Sequence, residues 1–258
     1  MHTLVPQSVW TSPQSGITFS FAHTNDSSYS VSLKSGDFST EYMHSEAGAF
    51  SETIYLYEPV LQFALTNNLP PSFLCVGLGI GYIELMCVAY FLKHAPHLIE
   101  KIKIYSYEKE DELRTFFSLF CTTYPKQVPE LQNPFFECYE DILTRTAQHY
   151  GLETGVFAEH MKNLIQNGQI LLSSSWSTAE QIPPCSGVFF DAFSAGTTPE
   201  LWEQDAILHV LGSLGPQASF ATYASRTKLK ELLSETGFVL EPKKGFGPKK
   251  ESTFAYKP

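Results

Sequence analysis

Three features of the sequence carry the residue types of nucleotide-like ligand chemistry: Gly77-Leu78-Gly79-Ile80-Gly81, Glu108 and Asp191. Alternating glycines leave a backbone that can take positive φ and approach a ligand closely. By itself the pattern also fits a tight turn without a ligand, and it is GxGxG rather than the dinucleotide fingerprint GxGxxG. Glu108 shifts the balance, because a carboxylate at the end of the next strand can accept hydrogen bonds from both hydroxyls of a ribose. Lys109 and Glu110 beside it read as solvated. Asp191 ends the apolar run Val188-Phe189-Phe190 and precedes Ala192-Phe193. A carboxylate there either caps the next helix or points into the crevice where open sheets take their ligands, and position favours the second. It can hold a basic amine by a charge-assisted hydrogen bond and orient its lone pair.

These residues need a wound sheet to bring them together, and the chain from residue 71 onward reads as one. Residues 73–77 form a short apolar run suited to a buried parallel strand. A helix is predicted over 82–93, a strand over 102–108 and a helix over 111–121. Prolines at 125, 129 and 134 open a helical insertion over about 124–168, with helices near 138–149 and 155–166. Strands follow at 169–174 and 187–193, then a helix over 200–214 entered at Pro199. A strand at 218–224, a helix over 228–235 and strands at 238–242 and 251–257 complete the pattern. The last two strands have no room between them for a crossover helix and must be antiparallel. This is the outline of an α/β class I methyltransferase, a Rossmann-like sheet of seven mostly parallel strands. Residues 1–70 differ: 17–22 and 29–34 alternate like paired strands, and 52–65 reads as a lead-in helix, so they form a β-rich extension on the domain 71–258.

With 258 residues, 43% apolar and 17% charged, the chain is too apolar for disorder and has no collagen-like or heptad period. Phe73 to Leu92 has the length of a membrane span, but three glycines and Glu84 divide it into strand, turn and helix. The N-terminal MHTLVPQSVW has neither a basic leader nor an apolar run, and five widely spaced cysteines lack any CxxC pair, which predicts a cytoplasmic protein with reduced thiols. The histidines show no metal-ligand spacing, and no metal is expected.

The net charge of −10 argues against bulk nucleic-acid binding, yet it is uneven. Residues 226–258 carry eight Lys/Arg against four Asp/Glu, while the first 225 residues sum to −14. Lys243, Lys244, Lys249 and Lys250 flank Gly245-Phe246-Gly247-Pro248. They read either as a solvated hairpin loop or as a clamp on phosphates, with Phe246 meeting a flipped-out base.

The strings Met43-His44-Ser45, Gly48-Ala49, Ser51-Glu52, Tyr55-Leu56-Tyr57, VGLGIG, YEKE, DAF…PELW, TYAS and KKGFGPKKE, in this order, resemble the methyltransferase module of the MnmC family. That family modifies the tRNA wobble uridine. The resemblance implies S-adenosyl-L-methionine-dependent methylation of the exocyclic amine of 5-aminomethyl(-2-thio)uridine, giving 5-methylaminomethyl(-2-thio)uridine, with tRNA as partner. It implies that Gly77, Gly79 and Gly81 line the methionine and ribose of the cofactor, that Glu108 takes the ribose, and that Asp191 with Phe193 faces the substrate. Lys243, Lys244, Phe246, Lys249 and Lys250 would contact RNA. The FAD-dependent oxidase half of the bifunctional proteins, and FAD with it, is expected to be absent.

Two stretches depart from the family pattern. Ser173-Ser174-Ser175-Trp176 replaces the Gly-Asp that contacts the adenine amine, leaving Ser174 to accept a hydrogen bond and Trp176 to stack on adenine. Residues 191–199 lack the family's first proline and its asparagine, which predicts a less constrained loop. Two rival functions fit the same residues: a spermidine-synthase-like aminopropyltransferase, and a non-catalytic Rossmann-like protein that binds RNA.

Overall fold

The computed structural model describes residues 4–131, 133–174 and 183–258. It begins with an antiparallel meander, β1 (Ser8–Thr11), β2 (Thr18–His23), β3 (Tyr29–Ser35) and β4 (Phe38–Ser39), whose order in space is that of the sequence. The helix α1 (Ala49–Thr66) leads into the main sheet. There follow β5 (Ser72–Val76), α2 (Tyr82–His94), β6 (Lys103–Tyr107), α3 (Asp111–Thr123), α4 (Pro134–Tyr150), α5 (Thr154–Gln166) and β7 (Ile170–Ser173). The chain closes with β8 (Cys185–Phe190), α6 (Gln204–Gly212), β9 (Leu214–Thr222), α7 (Thr227–Glu235), β10 (Val239–Lys244) and β11 (Glu251–Lys257).

The seven strands run in the order β10-β11-β9-β8-β5-β6-β7. β5 pairs in parallel with both β6 and β8, β6 with β7 and β8 with β9, whereas β11 is antiparallel to both β9 and β10. The order reverses direction at β5 and β8, so the carboxyl ends of these two strands open a crevice. Successive residues of the central strands enter different cores, as the pleat requires. Phe73, Cys75 and Phe189 pack under α1, α2 and the helical insertion, while Leu74, Val76, Val188 and Phe190 pack under α6 and α7.

The meander is built onto the same core. Phe19 and Phe21 meet Phe135 of α4 edge-on, at 5.1 and 4.8 Å between centroids. Its β2–β3 turn also caps α1: Thr24 Oγ1 accepts from the Ala49 N–H, Ser28 Oγ from Phe50 and Asp26 Oδ2 from Ser51. These are the donors that a helix start leaves unpaired. The turn thereby fixes the register of a helix whose buried face bears Glu52 and Tyr57.

Three elements differ from expectation. β1, which pairs with β2, has no strong alternation and was not anticipated. α4 begins at Pro134 because Asn133 accepts the Phe135 N–H as its N-cap and proline suits the first helical position. The helix expected over 200–214 is a 3-10 turn (Pro199–Trp202) and then α6, because Glu203 is extended between them and the Trp202 indole N–H is tied to the Phe193 carbonyl. Among the described residues, no helix is long and apolar enough to cross a membrane, and no group of three or more His, Cys, Asp or Glu is placed to hold a metal ion.

Candidate active site

A cavity of about 590 Å³ lies at the carboxyl ends of β5, β6, β8 and β9, with Phe38, Glu41, Met43 and His44 from the segment before α1 as its roof. Gly77, Gly79, Glu108, Asp191 and Phe193 all line it, as do Tyr223 and Lys249.

Gly77 follows β5 directly, at φ 101°. A Cβ there would stand 2.6 Å from the Asp191 carbonyl oxygen, so a side chain would force apart the turns after β5 and β8. Gly79 donates its N–H to Glu108 Oε2 at 3.0 Å, and Glu110 donates to Oε1 at 3.0 Å. Each carboxylate oxygen keeps a second lone pair for a ligand hydroxyl. Burial pushes the Glu108 carboxyl above the usual range, opposed by the bonds from Glu110 and Gly79. A bare, positive-φ backbone beside an anchored carboxylate is the combination a ribose with its neighbouring chain would need.

Gly81 does not line the cavity. It is the left-handed N-cap of α2, and a Cβ on it would lie 2.1 Å from Phe117 of α3, so its lack of a side chain serves helix packing. Ser174 is exposed and is not among the cavity residues; its carbonyl accepts from Arg114 at 3.4 Å. Trp176 lies outside the described residues.

Asp191, Tyr223 and Lys249 of the cavity wall belong to an interlocked set of polar groups that continues into α1. Tyr57 of α1 donates its hydroxyl to Asp191 Oδ1 at 2.5 Å. Burial pushes the Asp191 carboxyl up to about 8, with the Glu52 charge adding to that and the Tyr57 hydrogen bond and Lys249 opposing it. Burial likewise raises the Tyr57 and Tyr223 hydroxyls, and the Asp191 charge adds to both. Glu52 accepts from the Ser45 N–H at 2.8 Å and from Lys249 Nζ at 3.0 Å, while Lys249 Nζ also stands 4.3 Å from the centre of the Tyr223 ring.

The loop after β8 is held more firmly than its sequence predicts. Glu41 accepts the Ser194 N–H at 2.9 Å and the Thr197 hydroxyl, and Phe193 O accepts from Thr198 Oγ1 and Trp202 Nε1 at 2.9 and 2.8 Å. These bonds take over the restraint that the missing proline and asparagine would supply.

The four hairpin lysines do not form one clamp. Lys249 turns into the cavity; Lys243, Lys244 and Lys250 line a second groove of about 430 Å³ with Lys230 and Glu251. Lys243 Nζ lies 4.5 Å from the centre of the Tyr55 ring, and burial lowers its pKa. Tyr55 donates to the Lys244 carbonyl at 2.8 Å and its ring lies 5.8 Å from that of Phe246. Phe246 is thus packed on α1 and is absent from the cavity wall.

Sequence reasoning assigned no chemistry to Glu52, Tyr57, Tyr223 or Glu41. The signal for two of them was present. Ala49, Glu52, Thr53, Leu56, Tyr57, Val60, Leu61 and Ala64 make one buried stripe at helical spacing, and a carboxylate inside such a stripe needs a partner.

Comparison with known proteins agrees with this geometry. A family described as S-adenosyl-L-methionine-dependent methyltransferase matches residues 129–258. An uncharacterized protein of Methanocaldococcus jannaschii, MJ0670, is 25% identical over 235 residues, which is 91% of this chain and 58% of that protein. The tRNA 5-methylaminomethyl-2-thiouridine biosynthesis bifunctional protein MnmC of Actinobacillus pleuropneumoniae is 23% identical over 192 residues, 70% of this chain and 26% of its own length. Among solved structures, MnmC2 from Aquifex aeolicus shares the fold with a TM-score of 0.58 at 24% identity, covering 95% of this chain and 72% of that one. The chain spans little more than half of the first relative and about a quarter of the second.

Proposed function

The chain belongs to the S-adenosyl-L-methionine-dependent methyltransferase family as an MnmC-like module, and from that premise we propose that it methylates the exocyclic amine of 5-aminomethyl(-2-thio)uridine at the wobble position of tRNA. S-adenosyl-L-methionine supplies the electrophilic methyl group. Gly77 and Gly79 give it bare backbone and Glu108 a carboxylate for its ribose. Residues 71–258 make up the methyltransferase domain, with the insertion at about 124–168, and residues 1–70 an extension that roofs the cavity.

The observation that carries the reading is the Asp191 carboxyl, fixed by Tyr57, half-buried and facing the cavity beside the glycine turn. An alkyl amine must be neutral to act as a nucleophile, and beside an ordinary carboxylate it stays protonated. Asp191 is not ordinary. With its pKa near 8 it can hold the amine's proton on Oδ2 while the nitrogen keeps its lone pair, since burial disfavours the separated charges. Tyr57 keeps Oδ1 occupied and orients the carboxyl. The apolar walls, Met43 and Phe193 among them, exclude water and restrict the approach angle.

Lys243, Lys244 and Lys250 suit contact with the RNA backbone, in keeping with a local basic region on an acidic protein. Such binding is weak and strongly salt-dependent, and the enzyme works where tRNA is found, in the cytoplasm. The test is incubation with S-adenosyl-L-methionine and tRNA bearing the unmethylated aminomethyl group, followed by nucleoside mass spectrometry. A new 5-methylaminomethyl nucleoside is expected; its absence, with methyl transfer to another amine, would keep the activity class and discard the substrate.

A further inference from the structure

Lys249 stands apart from its three neighbours, because its ammonium is engaged inside the protein. It bonds Glu52, whose side chain is only 4% exposed, while the Lys249 side chain itself keeps 37% exposure at the cavity. Glu52 lies on α1 between one and two turns before Tyr57, on the same buried stripe, and Tyr57 holds Asp191. The turn that carries Lys249 is tightly set: Lys249 donates its N–H to the Phe246 carbonyl at 3.2 Å, and a Cβ on Gly245 would lie 2.5 Å from the Lys249 carbonyl oxygen.

We infer that Lys249 is a positioning residue for methyl transfer, and that the Lys249–Glu52 pair sets the charge carried by Asp191. The groups whose charge or hydrogen bonding is coupled to Asp191 are Tyr57 and Glu52 from α1, Cys75 from β5, Glu84 from α2, Tyr223 after β9 and Lys249 from the terminal hairpin. His44 feels Glu52 and Lys249 from the roof, and burial lowers its pKa to about 4, so it is neutral near pH 7. Of these groups Lys249 is the cation. It offsets Glu52, whose charge adds to burial in favouring the protonated Asp191 carboxyl and so weakens it as an acceptor for the proton of an incoming ammonium. A phosphate clamp would instead need its ammonium free of any such buried anion.

The role in methyl transfer rests on the proposed function, whereas the control of Asp191 by the Lys249–Glu52 pair does not. The first is a carbon-13 NMR titration of the Asp191 carboxyl in ligand-free protein, assigned with Asp191→Asn. Lys249→Met is expected to raise the midpoint by about half a pH unit or more, and Glu52→Gln to lower it by a similar amount. Lys249→Arg should keep the wild-type midpoint. Glu52→Gln retains an acceptor for the Ser45 N–H, so it serves if Lys249→Met fails to fold. The second readout is the acid limb of methyl transfer, which should move with the NMR midpoint. Midpoints that stay put in Lys249→Met or in Glu52→Gln overturn the inference. Midpoints that move as stated, in a protein that does not methylate tRNA, uphold the control of Asp191 by the pair and defeat the functional reading instead.

Discussion

Lys249 and Lys250 are adjacent in the sequence and end in different surroundings. The first lines the cavity and reaches a buried carboxylate on α1; the second lines an outer groove with Lys243 and Lys244. Beside the cavity, charged groups are packed against one another, with Lys249 on Glu52 and Tyr57 on Asp191. The groove is a place where Lys244 and Lys250 are exposed and act at a distance that salt can screen. A basic stretch can therefore serve two tasks, and sequence alone does not separate them. Substitutions in the two regions should fail in different ways.

The largest effect is expected from Asp191→Asn. It keeps an acceptor for the Tyr57 hydroxyl but cannot take a proton, so single-turnover methyl transfer should fall by about 100-fold or more while calorimetric affinity for S-adenosyl-L-methionine stays within a few-fold. The same variant should be more stable than the wild type at high pH. Asp191 ionises near 3.8 when unfolded and near 8 when folded, so the native state holds the extra proton between those values. Its stability is highest below pH 3.8, falls as pH rises through this window and is level above it. The asparagine variant carries no such penalty, and thermal melts at pH 8 and pH 4 should show its advantage only at the higher pH, on the order of a few kcal/mol.

Tyr57→Phe comes next. Removing the hydroxyl that opposes burial leaves the Asp191 pKa still higher, so turnover near neutral pH should drop roughly tenfold and the acid limb of the rate profile should move to higher pH. An unmoved limb would separate Tyr57 from the chemistry. The smallest effect belongs to the groove. Lys243→Gln, Lys244→Gln and Lys250→Gln together should raise KM for RNA and flatten its salt dependence by roughly 0.7 in slope for each phosphate no longer neutralised. A change in the single-turnover rate at saturating RNA would blur the distinction between the regions.

Much of the fold could be read from the sequence because a buried parallel sheet writes itself in short apolar runs separated by helical periods. Gly77, Gly79, Glu108 and Asp191 were legible for a related reason: each interrupts such a run at a strand's carboxyl end, where an interruption has few structural uses. Gly81 looked equivalent, but its neighbour in space is Phe117, thirty-six positions away in the chain. Glu52 and Tyr57 were hidden because a helical stripe absorbs amphipathic residues without a break in its period, and their partners come from the other end of the chain. Glu41 was beyond reach altogether, since its task depends on a loop some 150 residues later. The helix expected over 200–214 failed at Glu203, where a tertiary bond from Trp202 competes with helix continuation.

The division of labour between cavity and groove is tested most directly by single-turnover methyl transfer to tRNA at saturating RNA, comparing Asp191→Asn with the triple groove variant. The account predicts near-total loss of the rate constant in the first and a rate constant close to wild type in the second. A triple variant as slow as Asp191→Asn, or an Asp191→Asn enzyme that still turns over at the wild-type rate, would contradict it.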